Sequence, residues 1–445
     1  MKLKKLVLSN YRGFKNFECH FDASINVLVG LNGSGKSSLL EAIVVAYGSF
    51  MDGFGTATDR KIHKEEIHLA KIGSDDEGFT MEYQLPVTVQ AQVHSSEFTD
   101  FPLEWSRSLS ASKSKTSEAL QLTESAAALE KMVQDGSFPE LPLICYYGTD
   151  RLWNSLASPN KKPKRAYKTS RLEGYSDWLK PLSSYKAFSE WVYIATMASY
   201  ERGLENQEQI SKGNNLVKGN IHQEHLNSLK ETLDILLKPS GWSNIRYSAT
   251  AGQLVATREG QGDVPVTMLS DGVRNMIGMV ADIAYRAIRL NPHLGSSAVK
   301  QTEGIVLIDE VDMHLHPEWQ QLVLQSLSEA FPNIQFIVTT HSPQVLTTIK
   351  KDHIIILGGE QAEQPIGNTF GETSNYVMKH VLGVDSRPPL PHSKMLKEYL
   401  ILIESGQGQS EEAMKIRIEL ELLMGEGHSD LKMADRVIQR KELLG

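Results

Sequence analysis

The sequence predicts an α/β fold. It has a mixed, mainly parallel sheet flanked by helices, an antiparallel β subdomain, a mainly helical insertion and a helical C-terminal tail. Three observations predict it. A short buried strand pattern, Ile25 to Gly30 (INVLVG), passes through a glycine-rich loop into a helical pattern from Ser37 to Ala46. From residue 268 on, helical and strand patterns alternate as MIGMVADIAYRAI, GIVLID, PEWQQLVLQSLSEAF and IQFIVTT. That alternation suits parallel strands covered on both faces. Residues 152–240 read as mostly helical, and two or three amphipathic helices follow Pro391, split by Gly406-Gln407-Gly408 and Gly425-Glu426-Gly427.

The remaining elements follow in chain order. Leu6 to Leu8 is a short buried strand. Residues 80–94 (TMEYQLPVTVQAQVH) alternate loosely, as strands do, and residues 107–120 (SRSLSASKSKTSEA) are serine-rich and predict a loop. Leu141 to Tyr147 is another buried strand, and Ile245 to Thr257 predicts a hairpin turning at Ala251-Gly252. Pro317 suits the first position of one helix over PEWQQLVLQSL. The chain divides into an N-terminal lobe (1–150), a helical insertion (151–243), a C-terminal lobe (244–390) and a helical C-terminal region (391–445).

Bulk properties bound the function. With 445 residues, of which 40 % are hydrophobic, the chain can bury a large core. Its net charge of −8 makes any nucleic-acid contact a local patch. The candidate patch is Lys161, Lys162, Lys164, Arg165 and Lys168, with Tyr167 interleaved. Lysines and arginines meet a phosphate backbone, and an aromatic can stack on a DNA or RNA base. A solvated loop is the competing reading. Only two cysteines, Cys19 and Cys145, suit a reducing compartment, so a cytoplasmic location is expected. The basic start MKLKKLVLSNYRGF has too short an apolar run for a signal peptide, and no apolar run is long enough to span a membrane.

The chemistry concentrates at strand ends. Gly30-Leu31-Asn32-Gly33-Ser34-Gly35-Lys36-Ser37 fits G-x-x-x-x-G-K-[ST] between strand and helix, the context this pattern needs. Glycines let backbone N–H groups curl around phosphate oxygens, and the helix N-terminus adds partial positive charge. Lys36 is expected on the β and γ phosphates of ATP and Ser37 on Mg²⁺. Asn32, Gly33, Ser34, Gly35 and Ser38 complete the candidate loop. A chance glycine-rich turn would lack the ordered strand, Lys-Ser and helix.

Such a loop needs a second acid at the end of a neighbouring strand. IVLIDEVDMHLHP (Ile305 to Pro317) supplies Asp309 as the Mg²⁺ acid and Glu310 as the base for the attacking water. Asp309, Glu310, Asp312, His314 and His316 could also be read as transition-metal ligands. The histidines, however, follow the strand in a turn, which favours a structural role. Two weaker elements complete the order: Leu269-Ser270-Asp271-Gly272-Val273-Arg274, which alone could be a helix cap, and Thr339-Thr340-His341-Ser342 at the end of the next strand.

Phosphate loop, LSxG, Asp-Glu and strand-end histidine, in this order, resemble the ABC-type ATPases. NYRGF (Asn10 to Phe14) and NGSGKS resemble the soluble RecF/SMC-like branch. YYGTDRLW, DEVDMHLHPEWQ, THSPQVL and TFGETSNYVMKHVLGVDSRP are similar to the AAA-type defence ATPases of the PtuA (Septu) group, also found with retrons. The resemblance implies a head-to-tail dimer, with Ser270 and Gly272 of one subunit closing on ATP held by the other's Lys36. It implies Arg12 near the nucleotide, His341 as γ-phosphate sensor, and Asp312 in a loop at the dimer interface. A metal-binding glutamine is also implied, with Gln84, Gln90 and Gln92 as candidates. Asp271 stands where many relatives have Gly. The implied function is ATP-driven dimerisation controlling a separate HNH nuclease subunit in anti-phage defence, with no nuclease domain of its own. The rival is a DNA-repair or chromosome-clamp ATPase without a nuclease partner, which sustained heptads would favour.

Overall fold

The computed structural model describes all residues except 56–58, 75–77, 95–100, 113–114, 118, 150–169, 180–183, 213–218, 360, 386 and 445. The basic run from Lys161 to Lys168 lies outside the described residues. Two compact units are present, Met1–Leu382 and Gly383–Gly445.

The larger unit starts with β1 (Leu3–Tyr11), which turns back into β2 (Phe14–His20). Leu6 sits opposite Cys19 and Leu8 opposite Phe17, so the apolar residues share one inward face. β3 (Ile25–Val29) is buried at every position, as a central strand covered on both sides must be. The glycine loop then leads into α1 (Lys36–Asp52), buried along most of its length. β4 (Leu69–Ser74) and β5 (Gly78–Tyr83) form a two-stranded ribbon, and β6 (Val87–Val93) and β7 (Glu104–Leu109) complete an antiparallel sheet of order β2-β1-β6-β7. The strand β7 runs into the segment that composition reads as a serine-rich loop. Trp105, Arg107 and Leu109 alternate inward. The fully buried Arg107 guanidinium donates to the carbonyls of Val45 (2.7 Å) and Arg60 (2.9 Å) and pairs with Asp59. Burial with full pairing makes a charged residue a core residue here. α2 (Leu120–Gln134) packs on α1, and β8 (Leu143–Tyr147) follows.

The middle of the chain supplies α3 (Ser184–Ser211) and α4 (Ile221–Leu237), which pack on each other. Then β9 (Trp242–Ser248), β10 (Gln253–Arg258) and β11 (Gly262–Pro265) make a three-stranded antiparallel sheet, with the β9–β10 turn at Gly252. α5 (Asp271–Leu290) presents an apolar face to the core. A buried ion pair fixes it: Arg286 Nε donates to Asp282 Oδ2 (2.8 Å), and the Tyr147 hydroxyl donates to the same oxygen (2.7 Å). Arg286 also donates to the carbonyls of Gly174 and Ser176. The C-terminal half of α5 is thereby tied to the end of β8.

After α6 (Ala298–Gln301) come β12 (Gly304–Ile308), α7 (Pro317–Gln320), α8 (Val323–Ala330), β13 (Ile334–Thr339), α9 (Pro343–Leu346), β14 (Ile354–Leu357), β15 (Ala362–Glu363) and α10 (Ser374–His380). The single helix expected over PEWQQLVLQSL is two. The α-helical hydrogen-bond ladder is interrupted at Leu322, whose N–H bonds the Trp319 carbonyl, and Gln320 and Gln321 bond Ser342 and Gln344 across to α9. The main sheet has the order β15-β14-β3-β13-β12-β8. Its pairs are parallel except β14–β15, so it is mixed, and β3, β13 and β12 end at one edge. In open parallel sheets that edge is where ligands bind.

The smaller unit holds α11 (Pro391–Glu404), α12 (Glu411–Met424) and α13 (Ser429–Leu444) around its own core of Leu396, Tyr399, Ile403, Ala413, Leu420, Leu431 and Ala434.

Candidate functional site

The glycine loop joins β3 to α1 at the carboxyl edge of the main sheet. Gly30 permits the tight exit: a Cβ there would lie 2.6 Å from Ser34 Oγ and 2.7 Å from the Leu357 carbonyl. Leu31, Asn32, Gly33 and Ser37 are exposed, and Ser34 Oγ is buried without a hydrogen-bond partner. Lys36 curls back, its ammonium donating to the carbonyls of Gly30 and Leu31, both at 2.9 Å. Burial pushes the Lys36 pKa down, and the Asp309 and Glu310 carboxylates act against that shift. The lysine and both acids therefore share one electrostatic neighbourhood. No acid occupies the first turn of α1, which leaves the helix N-terminus as anion-binding ground. An orphaned hydroxyl, a buried lysine, exposed loop residues and a nearby carboxylate are a donor set that fits a polyphosphate with Mg²⁺.

The acids are held by β13. The Thr339 hydroxyl donates to Asp309 Oδ1 at 2.6 Å and accepts from the Glu310 N–H at 2.7 Å. One buried side chain thus orients the Asp309 carboxylate and fixes the backbone of Glu310. Glu310 has φ 51° and His314 φ 62°, conformations that non-glycine residues adopt at a cost. Neighbouring contacts maintain them. The Val311 N–H donates to the Thr339 carbonyl (2.9 Å), and the Thr340 hydroxyl donates to Asp312 Oδ1 (2.5 Å). Replacing Thr339 with valine should lower stability by about 1–3 kcal/mol, the cost of stranding buried polar partners, while Thr339→Ser should keep most of it. Equal denaturant midpoints for wild type and the valine variant would reject this role.

Ser270 is the N-cap residue of α5, yet its exposed side chain makes no capping bond. Gly272 has a clear steric reason: a Cβ there would lie 2.6 Å from the His314 carbonyl. The start of α5 and the turn after β12 thus abut at glycine. Asp271 pairs with Arg274 on the exposed side. His341 is exposed at the end of β13, and Ser342 caps α9 through the N–H groups of Gln344 and Val345. His316 Nδ1 accepts the Glu318 N–H at 3.4 Å as N-cap of α7. Among the described residues no group of His, Cys, Asp and Glu is arranged to hold a transition metal, and no helix is long and apolar enough to cross a membrane.

Arg12 has φ 49° and reaches the first turns of α1. Its guanidinium donates to both Glu41 carboxylate oxygens (3.2 and 2.6 Å), to Glu66 Oε1 (2.9 Å) and, at 3.4 Å, to Ser38 Oγ. Glu66 is 2 % exposed and also accepts from Arg60, the Tyr11 hydroxyl and the His63 N–H. Burial works against the Glu66 charge, but Arg60 and the His63 amide outweigh it and pull its carboxyl down to about 2. Sequence reasoning missed Glu41, Arg60 and Glu66, which lie far apart in the chain, and named Thr339 only as part of the TTHS motif, without a role. Of the glutamine candidates, Gln84 donates to the Glu82 carbonyl, Gln90 to Glu104, and Gln92 lies opposite Glu104 in β6–β7.

The AAA domain family matches residues 5–238, and the family described as "AAA domain, putative AbiEii toxin, Type IV TA system" matches residues 157–347. The chain is 28 % identical to the Retron Ec83 probable ATPase of Escherichia coli, covering 94 % of this chain and 82 % of that protein. It is 24 % identical to the Septu protein PtuA of Bacillus mycoides (strain KBAB4), covering 94 % of this chain and 50 % of that one. A solved SMC head bound to the C-terminal winged-helix domain of ScpA is similar at TM-score 0.48 and 15 % identity, over 82 % of this chain and 97 % of that one. The chain belongs to the AAA domain family and is similar to the PtuA-type defence ATPases.

Proposed function

We propose that this protein binds and hydrolyses ATP, closes head-to-tail on a second copy when ATP is bound, and so controls a separate HNH-type nuclease subunit in prokaryotic anti-phage defence. The observation that carries the reading is a phosphate-loop lysine sharing its electrostatic neighbourhood with two strand-end acids at one edge of a parallel sheet. The retron and Septu names of the relatives support the defence setting.

In this reading, Lys36 leaves the carbonyls of Gly30 and Leu31 to pair with the β and γ phosphates, and the N–H groups from Asn32 to Ser38 cradle them. Mg²⁺ would be held by Ser37 and Asp309, and it neutralises charge that develops on the phosphates. Glu310 takes a proton from the attacking water. His341 meets the γ-phosphate, while Ser270 and the N–H of Gly272 reach the ATP of the opposing copy. Arg12 supports the nucleotide from the Ser38 side. The basic residues Lys161, Lys162, Lys164, Arg165 and Lys168 would contact DNA or RNA.

Ser270→Arg tests the closure. It should leave binding of a fluorescent ATP analogue within about threefold of wild type, because the phosphate loop is untouched, yet abolish the ATP-induced rise in sedimenting mass. A variant that still associates on ATP addition would sink the head-to-tail reading and leave ATP binding standing.

A further inference from the structure

The smaller unit carries a second apolar face that its own core does not use. Ala413, Ile416, Leu420 and Met424 of α12 pack inward with residues of α11 and α13. Met414, Ile418 and Leu422 recur every fourth residue and are 55, 60 and 83 % exposed. At about 100° per residue, the two sets point in nearly opposite directions around the helix. A surface helix ordinarily needs one apolar stripe, and the opposite face is polar. A second continuous stripe of large aliphatic side chains is the mark of an interaction surface.

The charges beside the stripe indicate what covers it. On one flank Arg417 is used within the chain, pairing with Glu421 and Asp435. On the other flank Lys415 and Glu419 are exposed, one turn apart, with no ion pair to another element among the described residues. Two copies of α12 laid antiparallel about a two-fold axis through Ile418 satisfy all of these groups. Met414 would meet the partner's Leu422, Ile418 would meet the partner's Ile418, and Lys415 would meet the partner's Glu419. The symmetry repeats each unlike pair, as an isologous contact requires. A parallel pair would set Lys415 and Glu419 beside the partner's Arg417 and Glu421, which are already paired within their own chain. We propose that α12 is a self-association face that closes antiparallel on a second copy of this chain. The contact needs no nucleotide and does not rest on the ATP-driven closure proposed above.

One helix face is small for a stable dimer, so the association should depend on concentration. The experiment uses the full chain without nucleotide, in a Lys36→Ala background that removes ATP-linked closure. Sedimentation should show the mass rising with concentration from 49.6 kDa towards twice that value. Lys415→Glu and Glu419→Lys should each weaken association by about tenfold, through like-charge contacts, and the double swap should restore it. Ile418→Cys should give a covalent dimer on mild oxidation, because a disulfide forms only where Cβ atoms approach to about 4 Å, as they do on the axis. The native Cys19 and Cys145 are buried. A single-chain mass at every concentration, single swaps indistinguishable from wild type, or no covalent dimer from Ile418→Cys would each overturn the proposal. So would association that appears only when a different protein, such as a nuclease subunit, is added.

Discussion

Glu310→Gln is expected to cut ATP turnover by about 10²- to 10⁴-fold, the usual contribution of a positioned general base, while leaving Mg–ATP binding intact. The substitution is nearly isosteric. Glutamine retains the side-chain oxygen, and the backbone bond from residue 310 to the Thr339 hydroxyl (2.7 Å) does not involve the side chain. The positive φ of 51° at this position is therefore kept. What disappears is the ability to accept a proton. Binding should persist because its donors, Lys36 and the loop N–H groups, sit on a different strand end. ATP-bound dimers should then accumulate and be visible by sedimentation in the presence of Mg–ATP. Turnover within a few-fold of wild type would show that Glu310 is not the base and would point to a nucleotide-binding regulator.

A second large effect is expected at a residue that lies outside every sequence motif. Glu66→Gln should lower stability by about 3 kcal/mol near neutral pH, the low end of the range for breaking a buried ion pair. The low end applies because Arg12 and Arg60 retain Glu41 and reach some solvent, with 28 and 16 % of their side chains exposed. The pH dependence has a definite sign. The Glu66 carboxyl is held at about 2 in the folded protein against an ordinary value of 4.5. Its contribution is therefore complete above about pH 4.5 and is lost as the pH falls from there towards 2. The stability gap between wild type and Glu66→Gln should be widest at neutral pH and should shrink over that acid window. A gap that stays constant from pH 6 to pH 3 would rule out the ionised carboxylate as its source. Because Arg12 borders Ser38, the same variant should also loosen the start of α1.

Residues that do local chemistry at a fixed spacing were legible in the chain itself. The phosphate loop announces itself because its glycines, Lys36 and Ser37 must be contiguous to wrap one group of oxygens. The acidic strand end is readable for a similar reason: four buried aliphatics followed by Asp309 and Glu310 can hardly be anything but a central strand meeting a site. Arg107 was not readable, because its composition says surface while its pairing with Asp59 and two carbonyls makes it core. The helix expected after Pro317 broke for a tertiary reason, the side-chain bonds of Gln320 and Gln321 to α9.

In IVLIDEVDMHLHP, five potential metal ligands stand within eight positions of one another, from Asp309 to His316. In the fold they separate. Asp309 and Glu310 turn to Thr339, Asp312 to Thr340, His316 caps α7, and the His314 carbonyl lies where only glycine can stand at position 272. By itself, the sequence determined the α/β class, the phosphate loop and the strand-end acids, since these depend on periodicity and contiguous spacing. Only the tertiary structure decided which hydroxyl holds the Asp309 carboxylate and the Glu310 backbone, why residue 272 is glycine, and that Glu41, Arg60 and Glu66 hold Arg12 at α1. Those are contacts between groups far apart in the chain, brought together by sheet order and helix packing, and no local pattern encodes them.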